Sequence, residues 1–256
     1  SQMDHASDLC ESTDSRFQFR SFVVAIKLLI TGFLLTLIMV FAPLSHATEH
    51  NPGVWTIFST TDSFPASGGT SRWHYWFDAQ ARYFDVGSGT NQWLVRPAIG
   101  YEIRDGVKAW AGYARFRSRN GAGRVANENR YWQQLDWRAG RWQDGTVSMR
   151  VRLEQRSIDV SDDLGVVLRF MTKYVRPFAG HEDKSLIIGI EPFVDLRDTD
   201  WGGNAGLGQN RIFVGIGWRL GDKISLETGY MNQFIWVDGA EDRNNHLAIL
   251  TIKARL

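Results

Sequence analysis

The stretch that decides the fold is RWHYWFDAQARY, residues 72–83, in which apolar and polar side chains alternate. One face of this stretch carries Trp73, Tyr75, Phe77, Ala79, Ala81 and Tyr83, and the other carries His74, Trp76, Asp78, Gln80 and Arg82. A period of two residues is typical of a β-strand with one apolar and one polar face. The stretch therefore predicts a strand that separates two different environments.

The same alternation recurs along the chain, with Gly, Asp and Asn in the intervening turns. The further candidate strands are 54–64, 92–103, 107–118, 129–139, 146–158, 164–176, 184–196, 209–220, 224–237 and 245–256. After residue 47 there is no sustained helical period, and no linker divides the chain. We predict one all-β domain that covers residues 48–256.

The chemistry of the two faces favours a membrane barrel. The polar faces are rich in arginine, carboxylates and glycine, and aromatic residues lie towards the strand ends of the apolar faces. In an outer-membrane barrel the apolar face meets lipid, aromatic girdles lie at the two interfaces, and charged side chains turn into the lumen. Open strand edges would leave backbone groups unsatisfied in lipid, so the sheet must close. The alternative is a soluble secreted β-protein, whose polar face would meet water.

The lengths of the connections bear on the number of strands. Long polar connections (119–128, 197–208 and 238–244) alternate with shorter ones (140–145 and 221–223), as in barrels of the bacterial outer membrane. The eleven candidate strands conflict with the even number of strands that bacterial single-chain barrels have. We predict a closed antiparallel transmembrane β-barrel of about twelve strands, in which one of the eleven candidate segments comprises two strands. Ten strands are expected if 54–64 is not a strand of the barrel.

The first 47 residues differ in kind from the rest. Residues 28–42 read LLITGFLLTLIMVFA, three basic residues precede this run, and Ser45-His46-Ala47 follows it. A basic start, a short apolar core and a small-x-small exit predict a secretory signal peptide, with cleavage after Ala47. The alternative is a transmembrane helix, which needs about 20 apolar residues. We therefore assign residues 1–47 to an N-terminal extension and signal peptide.

Composition narrows the range of functions. The single cysteine, Cys10, precedes the predicted cleavage site, so a disulfide framework and a cysteine metal site are both excluded after residue 47. Residues 48–256 carry 26 basic and 24 acidic residues, which is too balanced for a nucleic-acid binder. We predict no cofactor and no metal. The expected partners are outer-membrane lipid, lipopolysaccharide and the barrel assembly machinery during insertion, and the expected location is the bacterial outer membrane.

Several short motifs resemble a known family. They are Trp55, RPAIGY (96–101), NRYWQQ (129–134), RVRLEQR (150–156), QNR (209–211) and ETGYMNQ (227–233). Across residues 53–256 the sequence resembles the family of outer-membrane proteins catalogued as a domain of unknown function, number 2490. The resemblance implies an outer-membrane barrel. It implies no known activity, so it transfers no catalytic residue to this chain.

The polar faces predict a network of charged side chains inside the barrel. Its members are Asp78, Arg82, Arg96, Glu102, Arg130, Asp136, Arg138, Arg150, Arg152, Glu154, Arg156, Arg169, Lys173, Glu191, Arg211, Arg219 and Glu227. The predicted aromatic girdle consists of Trp73, Trp93, Tyr101, Trp137, Trp218 and Trp236. The basic excess inside predicts a narrow passive pore with a mild preference for anions. A purely structural barrel filled by ion pairs is the alternative, because small barrels are usually packed inside.

A lipid-modifying hydrolase is a third possibility. Such an enzyme needs a nucleophile beside a base. His74 and His246 lie near strand ends, but no serine has a nucleophile setting such as G-x-S-x-G. We therefore predict that the protein is not an enzyme and has no catalytic residues.

Overall fold

The computed structural model describes residues 48–67, 69–84 and 89–255, which form a closed barrel of eleven β-strands. The strands are β1 (Thr48–Ala66), β2 (Gly69–Phe84), β3 (Thr90–Arg104), β4 (Val107–Arg119), β5 (Val125–Trp142), β6 (Gly145–Ile158), β7 (Leu164–Phe178), β8 (His181–Asp195), β9 (Gly206–Arg219), β10 (Ile224–Ile235) and β11 (Asp242–Ala254). None of the described residues belongs to a helix with the length and apolarity that a membrane span requires. The predicted signal peptide and the 47/48 boundary fall outside the described residues.

The barrel closes through a pairing that the sequence did not predict. Consecutive strands pair antiparallel, but β1 and β11 pair parallel, from Thr48 opposite Asp242 to Thr60 opposite Ala254. We call this pairing the seam. The predicted closed all-β barrel is confirmed, and its eleven strands are close to the predicted twelve or ten; one pair, β1 with β11, is parallel where a wholly antiparallel barrel was expected. An even number is required only when the first and last strands run in opposite directions. All eleven candidate segments overlap strands of the barrel, and 54–64 lies within β1.

The two ends of the barrel differ in their connections. At one end, called the short-turn end, the strands are joined through residues 67–68, 105–106, 143–144, 179–180 and 220–223. At the other, called the long-loop end, they are joined through 85–89, 120–124, 159–163, 196–205 and 236–241. Asp105-Gly106 illustrates the tight connections, since Gly106 has a φ of 71°, which glycine adopts without strain. β1 begins at the long-loop end, and β11 ends at the short-turn end.

The predicted alternation decides which side chains face inward. On β2, His74, Asp78 and Arg82 are buried, whereas Trp73 and Tyr83 are exposed on the outer surface. The other strands repeat this pattern, so large apolar side chains surround the outside of the barrel. Exposed apolar area that encircles a closed sheet is what a lipid-facing surface requires. The interior, which we call the lumen, holds the buried side chains.

Candidate functional site

The predicted charge network lies on the inner face of the barrel. All seventeen predicted residues occupy inward-facing strand positions. Arg138 and Arg219 are exposed, and the guanidinium group of Arg219 donates to the carbonyl oxygen of Glu182 next to a turn. These two residues therefore lie at the rim of the short-turn end, while the other fifteen line the lumen.

Two buried glutamates organise the centre of the network. The carboxylate of Glu154 accepts from Arg169 at 2.5 Å and from Arg156 at 2.6 Å, and Arg152 lies 3.5 Å away. Glu191 takes the same role towards Arg169 at 2.6 Å. Because Arg169 bonds to both glutamates, it joins β6, β7 and β8 across the inside of the barrel.

Two more arginines form ion pairs with Glu191 and extend the central network to further strands of the barrel. Arg150 on β6 lies 2.5 Å from Glu191, and Arg211 on β9 lies 3.7 Å from it. The guanidinium group of Arg130 makes a two-pronged contact with Glu128, at 2.9 and 2.7 Å. The planar fork of arginine matches a carboxylate in this geometry. Because Arg156 on β6 also lies 3.7 Å from Glu128, ion pairs link the five consecutive strands β5 to β9.

On the opposite wall, Asp78 anchors a second group of bonds. Arg96 donates to both of its carboxylate oxygens, at 2.8 and 2.7 Å, and the amide of Gln80 donates to it at 2.5 Å. Gln80 in turn accepts from Arg82 at 2.7 Å. Gln134 on β5 accepts from Arg152 on the neighbouring strand β6 at 2.6 Å.

Two smaller charge groups lie towards the short-turn end. Glu227 accepts from Lys173 at 2.8 Å and from Lys253 at 2.5 Å. Glu102 lies 3.2 Å from His74 and 3.8 Å from Lys108. These contacts involve strands from both sides of the barrel, and they are less buried than the centre.

Arginine and aromatic side chains stack in the lumen. The guanidinium group of Arg152 lies 4.1 Å from the ring centre of Trp132 and 5.3 Å from that of Trp76, and Arg96 lies 5.0 Å from Trp76. The Trp76 ring also meets Trp132 edge-on, with 5.5 Å between the centres. Desolvated contacts of a cation with an aromatic face are each favourable by about 2 kcal/mol. The aromatic rings therefore partly compensate the arginines for their loss of water.

Glycines make room for these rings. A Cβ atom on Gly112 would lie 2.3 Å from the Trp132 ring, and one on Gly100 would lie 2.4 Å from the Trp110 ring. Trp132 is 1% exposed, Arg152 is 0% exposed and Glu154 is 1% exposed. These three side chains are therefore packed inside the barrel and shielded from water.

The centre of the lumen carries more positive than negative groups. Its charged members are Arg82, Arg96, Arg130, Arg150, Arg152, Arg156, Arg169, Arg211, Asp78, Glu128, Asp136, Glu154 and Glu191. Arg82 illustrates the excess, because it bonds only to Gln80 and Gln92 and has no carboxylate partner among the described residues. Its guanidinium group instead lies 3.8 Å from the ring centre of Trp55, over which Arg211 also lies, at 4.8 Å.

The longest loop covers part of the long-loop end. The indole N–H of Trp201 donates to the carbonyl oxygen of Asp163 at 3.1 Å, and the backbone N–H of Asp200 donates to the Asp163 carboxylate at 2.9 Å. The ring of Trp201 lies against Gly165, where a Cβ atom would approach it to 2.6 Å. Since Gly165 faces inward, this ring lies over the mouth of the lumen beside β7.

The predicted girdle residues lie on the outside, in two groups. Trp73, Tyr101, Trp137 and Trp218 lie near the short-turn end, and Trp93 and Trp236 lie near the long-loop end. The rings of Trp73 and Tyr101 meet edge-on, 5.0 Å apart. Trp236 follows β10 and packs on Phe234 at 4.8 Å. Trp142 and Tyr174, 5.6 Å apart, add a further pair near the short-turn end.

Sequence reasoning missed several residues of the lumen. Glu128 lies just before the predicted strand 129–139, but in the structure it belongs to β5 and pairs with Arg130. Lys253 was read as part of the last strand only, although it bonds to Glu227. The alternation already places Glu128 two positions before Arg130, so extending the strand would have found it. Trp110 and Trp132 also face inward; the alternation puts Trp132 on the same face as Arg130, but neither tryptophan was predicted to line the lumen.

The described part of the chain offers little support for a metal site or a hydrolase site. It contains no group of three or more His, Cys, Asp or Glu side chains placed to hold a metal ion. The ring of His246 bonds to the hydroxyl of Tyr230 at 2.6 Å and to the ring of His50 at 3.0 Å on the outer surface. His74 bonds to Glu102 in the lumen. Both histidines considered for catalysis are therefore engaged with groups other than serine.

Among solved structures, the chain shows a distant likeness to a siderophore receptor. The siderophore receptor PirA from Pseudomonas aeruginosa is 12% identical, with a TM-score of 0.30 over 68% of this chain. The chain spans 34% of the length of that receptor.

Comparison with known sequences gives a clear family. A protein of Methylorubrum extorquens that is described as uncharacterised is 31% identical over 182 residues, which are 71% of this chain and 80% of the relative. The family profile described as "protein of unknown function (DUF2490)" matches residues 52–245. This match confirms the resemblance predicted from the sequence, and the protein belongs to the DUF2490 family.

Proposed function

We propose that the protein is a structural barrel of the bacterial outer membrane whose interior is packed rather than open. The observation that carries the proposal is the combination of an apolar outer surface with a lumen in which Trp132, Arg152 and Glu154 are almost completely buried. An apolar exterior requires lipid, and a filled interior leaves no water path at that level. The role is then to add a rigid, non-catalytic element to the envelope.

Orientation follows from the connections. Barrels of this class have short turns in the periplasm and longer loops outside the cell. We therefore assign the short-turn end to the periplasm and the long-loop end to the cell exterior. The partners are outer-membrane lipid, lipopolysaccharide and, during insertion, the barrel assembly machinery.

The ion-pair network suits a structural role. A buried ion pair contributes little net stability compared with an apolar pair, but breaking one leaves an uncompensated charge and costs about 3–5 kcal/mol. Arg169, shared by Glu154 and Glu191, resists any separation of β6, β7 and β8. Such a network favours one arrangement of the strands over alternatives.

A narrow anion-selective pore is the second candidate, as expected from the sequence. It is supported by the excess of arginine in the lumen and by Arg82, whose strongest charged neighbours are Arg211 and Arg130. The Nε atom of Arg82 and the Nε1 atom of Trp55 are buried donors without a hydrogen-bond partner in the described chain. Basic linings favour anions. Opening such a path requires Trp132 or the Arg152–Glu154 pair to move.

Two measurements test the proposal. The full chain is expressed in a Gram-negative host, and we expect it in the outer-membrane fraction and soluble only in detergent. Purified protein in planar bilayers is then expected to give no ionic current at any applied voltage. Stepwise currents with anion selectivity would favour the pore instead. A folded monomer in buffer without detergent would contradict the membrane assignment altogether.

A further inference from the structure

A row of arginines lies on the outer surface at the long-loop end. Arg115, Arg117 and Arg119 occupy successive outward positions at the end of β4, and Arg124 follows in the loop to β5. Arg117, Arg119 and Arg124 are exposed, and Arg115 is half-buried. Outward positions two residues apart are separated by roughly 6.7 Å along a strand. The row therefore presents three guanidinium groups along one line of the barrel wall.

The arginines of the row have little local compensation. Arg115 donates to the side-chain oxygen of Asn129 at 2.8 Å, which also accepts from the hydroxyl of Tyr113 at 2.6 Å. In the described chain no carboxylate forms a salt bridge with any of the three. The row thus keeps guanidinium groups available for an external anion.

Asp159 is the carboxylate whose charge reaches Arg115. It accepts from the backbone N–H of Asn127 at 3.0 Å and from the side-chain amide of Asn127 at 2.7 Å. These hydrogen bonds lower the pKa of Asp159, so its carboxylate is ionised and already occupied. The negative charge of Asp159 thus partly offsets the positive charge at one end of the row, but Asp159 forms no salt bridge with Arg115.

The surroundings of the row mark the border of the apolar surface. Trp93 on β3 lies opposite Arg117, and Val95 lies opposite Arg115. Towards the short-turn end the next outward residue of β4 is Tyr113, whose ring lies 5.4 Å from that of Tyr131. The guanidinium groups of the row therefore lie directly beside aromatic and aliphatic side chains of the outer surface, on the side of the long-loop end.

Three other loops at the long-loop end carry mostly the opposite charge. The loops 159–163, 196–205 and 236–241 contain Asp159, Asp162, Asp163, Asp198, Asp200, Asp238 and Glu241, against Arg197 alone. Positive charge on this end of the outer wall is thus concentrated on one sector, β4 and its loop. A ligand that seeks arginine at this level is directed to that sector.

We propose that Arg115, Arg117 and Arg119 bind the phosphate groups of an anionic glycolipid in the outer leaflet. The inference rests on the proposed outer-membrane orientation and deepens it by locating the lipid contact. Arginine binds phosphate oxygens in two-pronged geometry. A phosphorylated sugar headgroup at the membrane surface meets the row, and its acyl chains lie along Val95, Tyr113 and the surface below. The ligand class is a phosphorylated lipid A headgroup.

The test measures lipid binding to the purified full barrel in detergent by native mass spectrometry. The probes are bis-phosphorylated lipid A, dephosphorylated lipid A, phosphatidylglycerol and inorganic phosphate. The variant R115Q/R117Q/R119Q is compared with R141Q/R176Q/K223Q, which removes the same charge from exposed positions at the short-turn end. We expect the first variant to bind bis-phosphorylated lipid A roughly a hundredfold more weakly, since each surface cation contributes a few-fold to such binding. The second variant is expected to bind as the natural chain does.

Each alternative outcome is decisive. Equal losses in both variants would show non-specific charge attraction and overturn the site, as would unchanged binding in the first variant. Displacement of lipid A by inorganic phosphate alone, or equal binding of phosphatidylglycerol, would overturn the assignment to a glycolipid. Because this binding is read on purified protein, its failure is distinct from failure of the proposed location, which cell fractionation measures.

Discussion

Replacing Glu154 by glutamine tests whether the lumen is the dry, ion-paired interior described above. The substitution keeps the size of the side chain and removes one negative charge from the centre of three arginines. Breaking a buried ion pair on one side costs about 3–5 kcal/mol. Arg152 keeps Gln134, and Arg169 keeps Glu191, so part of the loss is compensated. We therefore expect Glu154→Gln to lower the free energy of unfolding by about 3 kcal/mol, the lower limit of this range. This loss is a more than hundredfold change in the folding equilibrium.

The free energy of unfolding is measured by urea titration of the barrel in lipid vesicles or detergent, followed by tryptophan fluorescence. Glu241→Gln in an exposed loop is the matched control and is expected to change stability by less than about 0.5 kcal/mol. The double variant Glu154→Gln/Arg156→Gln should lose less than the sum of the two single variants, because the pair is coupled at 2.6 Å. A loss below about 1 kcal/mol for Glu154→Gln would refute the reasoning, since a hydrated carboxylate behaves that way.

Three further predictions concern packing and topology. Gly112→Val should destabilise the barrel by about 1–3 kcal/mol, since its Cβ would meet the Trp132 ring at 2.3 Å, whereas Gly189→Ala, with its nearest neighbour at 3.8 Å, should be tolerated in the same urea titration. Trp132→Ala should cost about 3–5 kcal/mol and produce ionic current in planar bilayers, and a silent, equally stable variant would contradict the packed lumen. Cysteines placed at His50 and at Asp105 should react with a membrane-impermeant thiol reagent from opposite sides of the membrane, because β1 starts at the long-loop end; labelling from one side would exclude the parallel seam.

Alternation predicted the strands and the direction of their side chains because a strand has a strict period of two. Arg152, Glu154 and Arg156 follow each other on one face of β6, so their common direction can be read from the sequence alone. Which glutamate meets which arginine cannot be read in this way. The pairing of Arg169 with both Glu154 and Glu191 depends on the register of three strands, and register appears only when the barrel closes.

The packing of the lumen was harder to predict for a related reason. The sequence analysis places Trp76 on the polar face of its strand and assigns no role to Trp110 or Trp132. Their rings fit inside because Gly100 and Gly112 on adjacent strands leave space for Trp110 and Trp132. A glycine and a ring that match across strands are distant in sequence and carry no local signal.

The observed eleven strands differ by one from the predicted twelve or ten because an even number was assumed, and the alternation itself located every strand. Each candidate segment was recognised, but an even number was imposed because both ends of such chains usually lie on one side of the membrane. The parallel pairing of β1 with β11 removes that condition.

The seam also has a consequence for the kinetics of folding. Every other pair of neighbouring strands is joined by a connection of at most ten residues and can form locally. Trp55 and Ile249, by contrast, meet only after the strands between β1 and β11 have formed. Contacts between distant parts of a chain form slowly, since the entropy of closing the loop opposes them. We expect the parallel pairing of β1 with β11 to be the last and rate-limiting step of assembly. Substitutions along β1 and β11 should therefore slow insertion more than equal substitutions in β5 or β6.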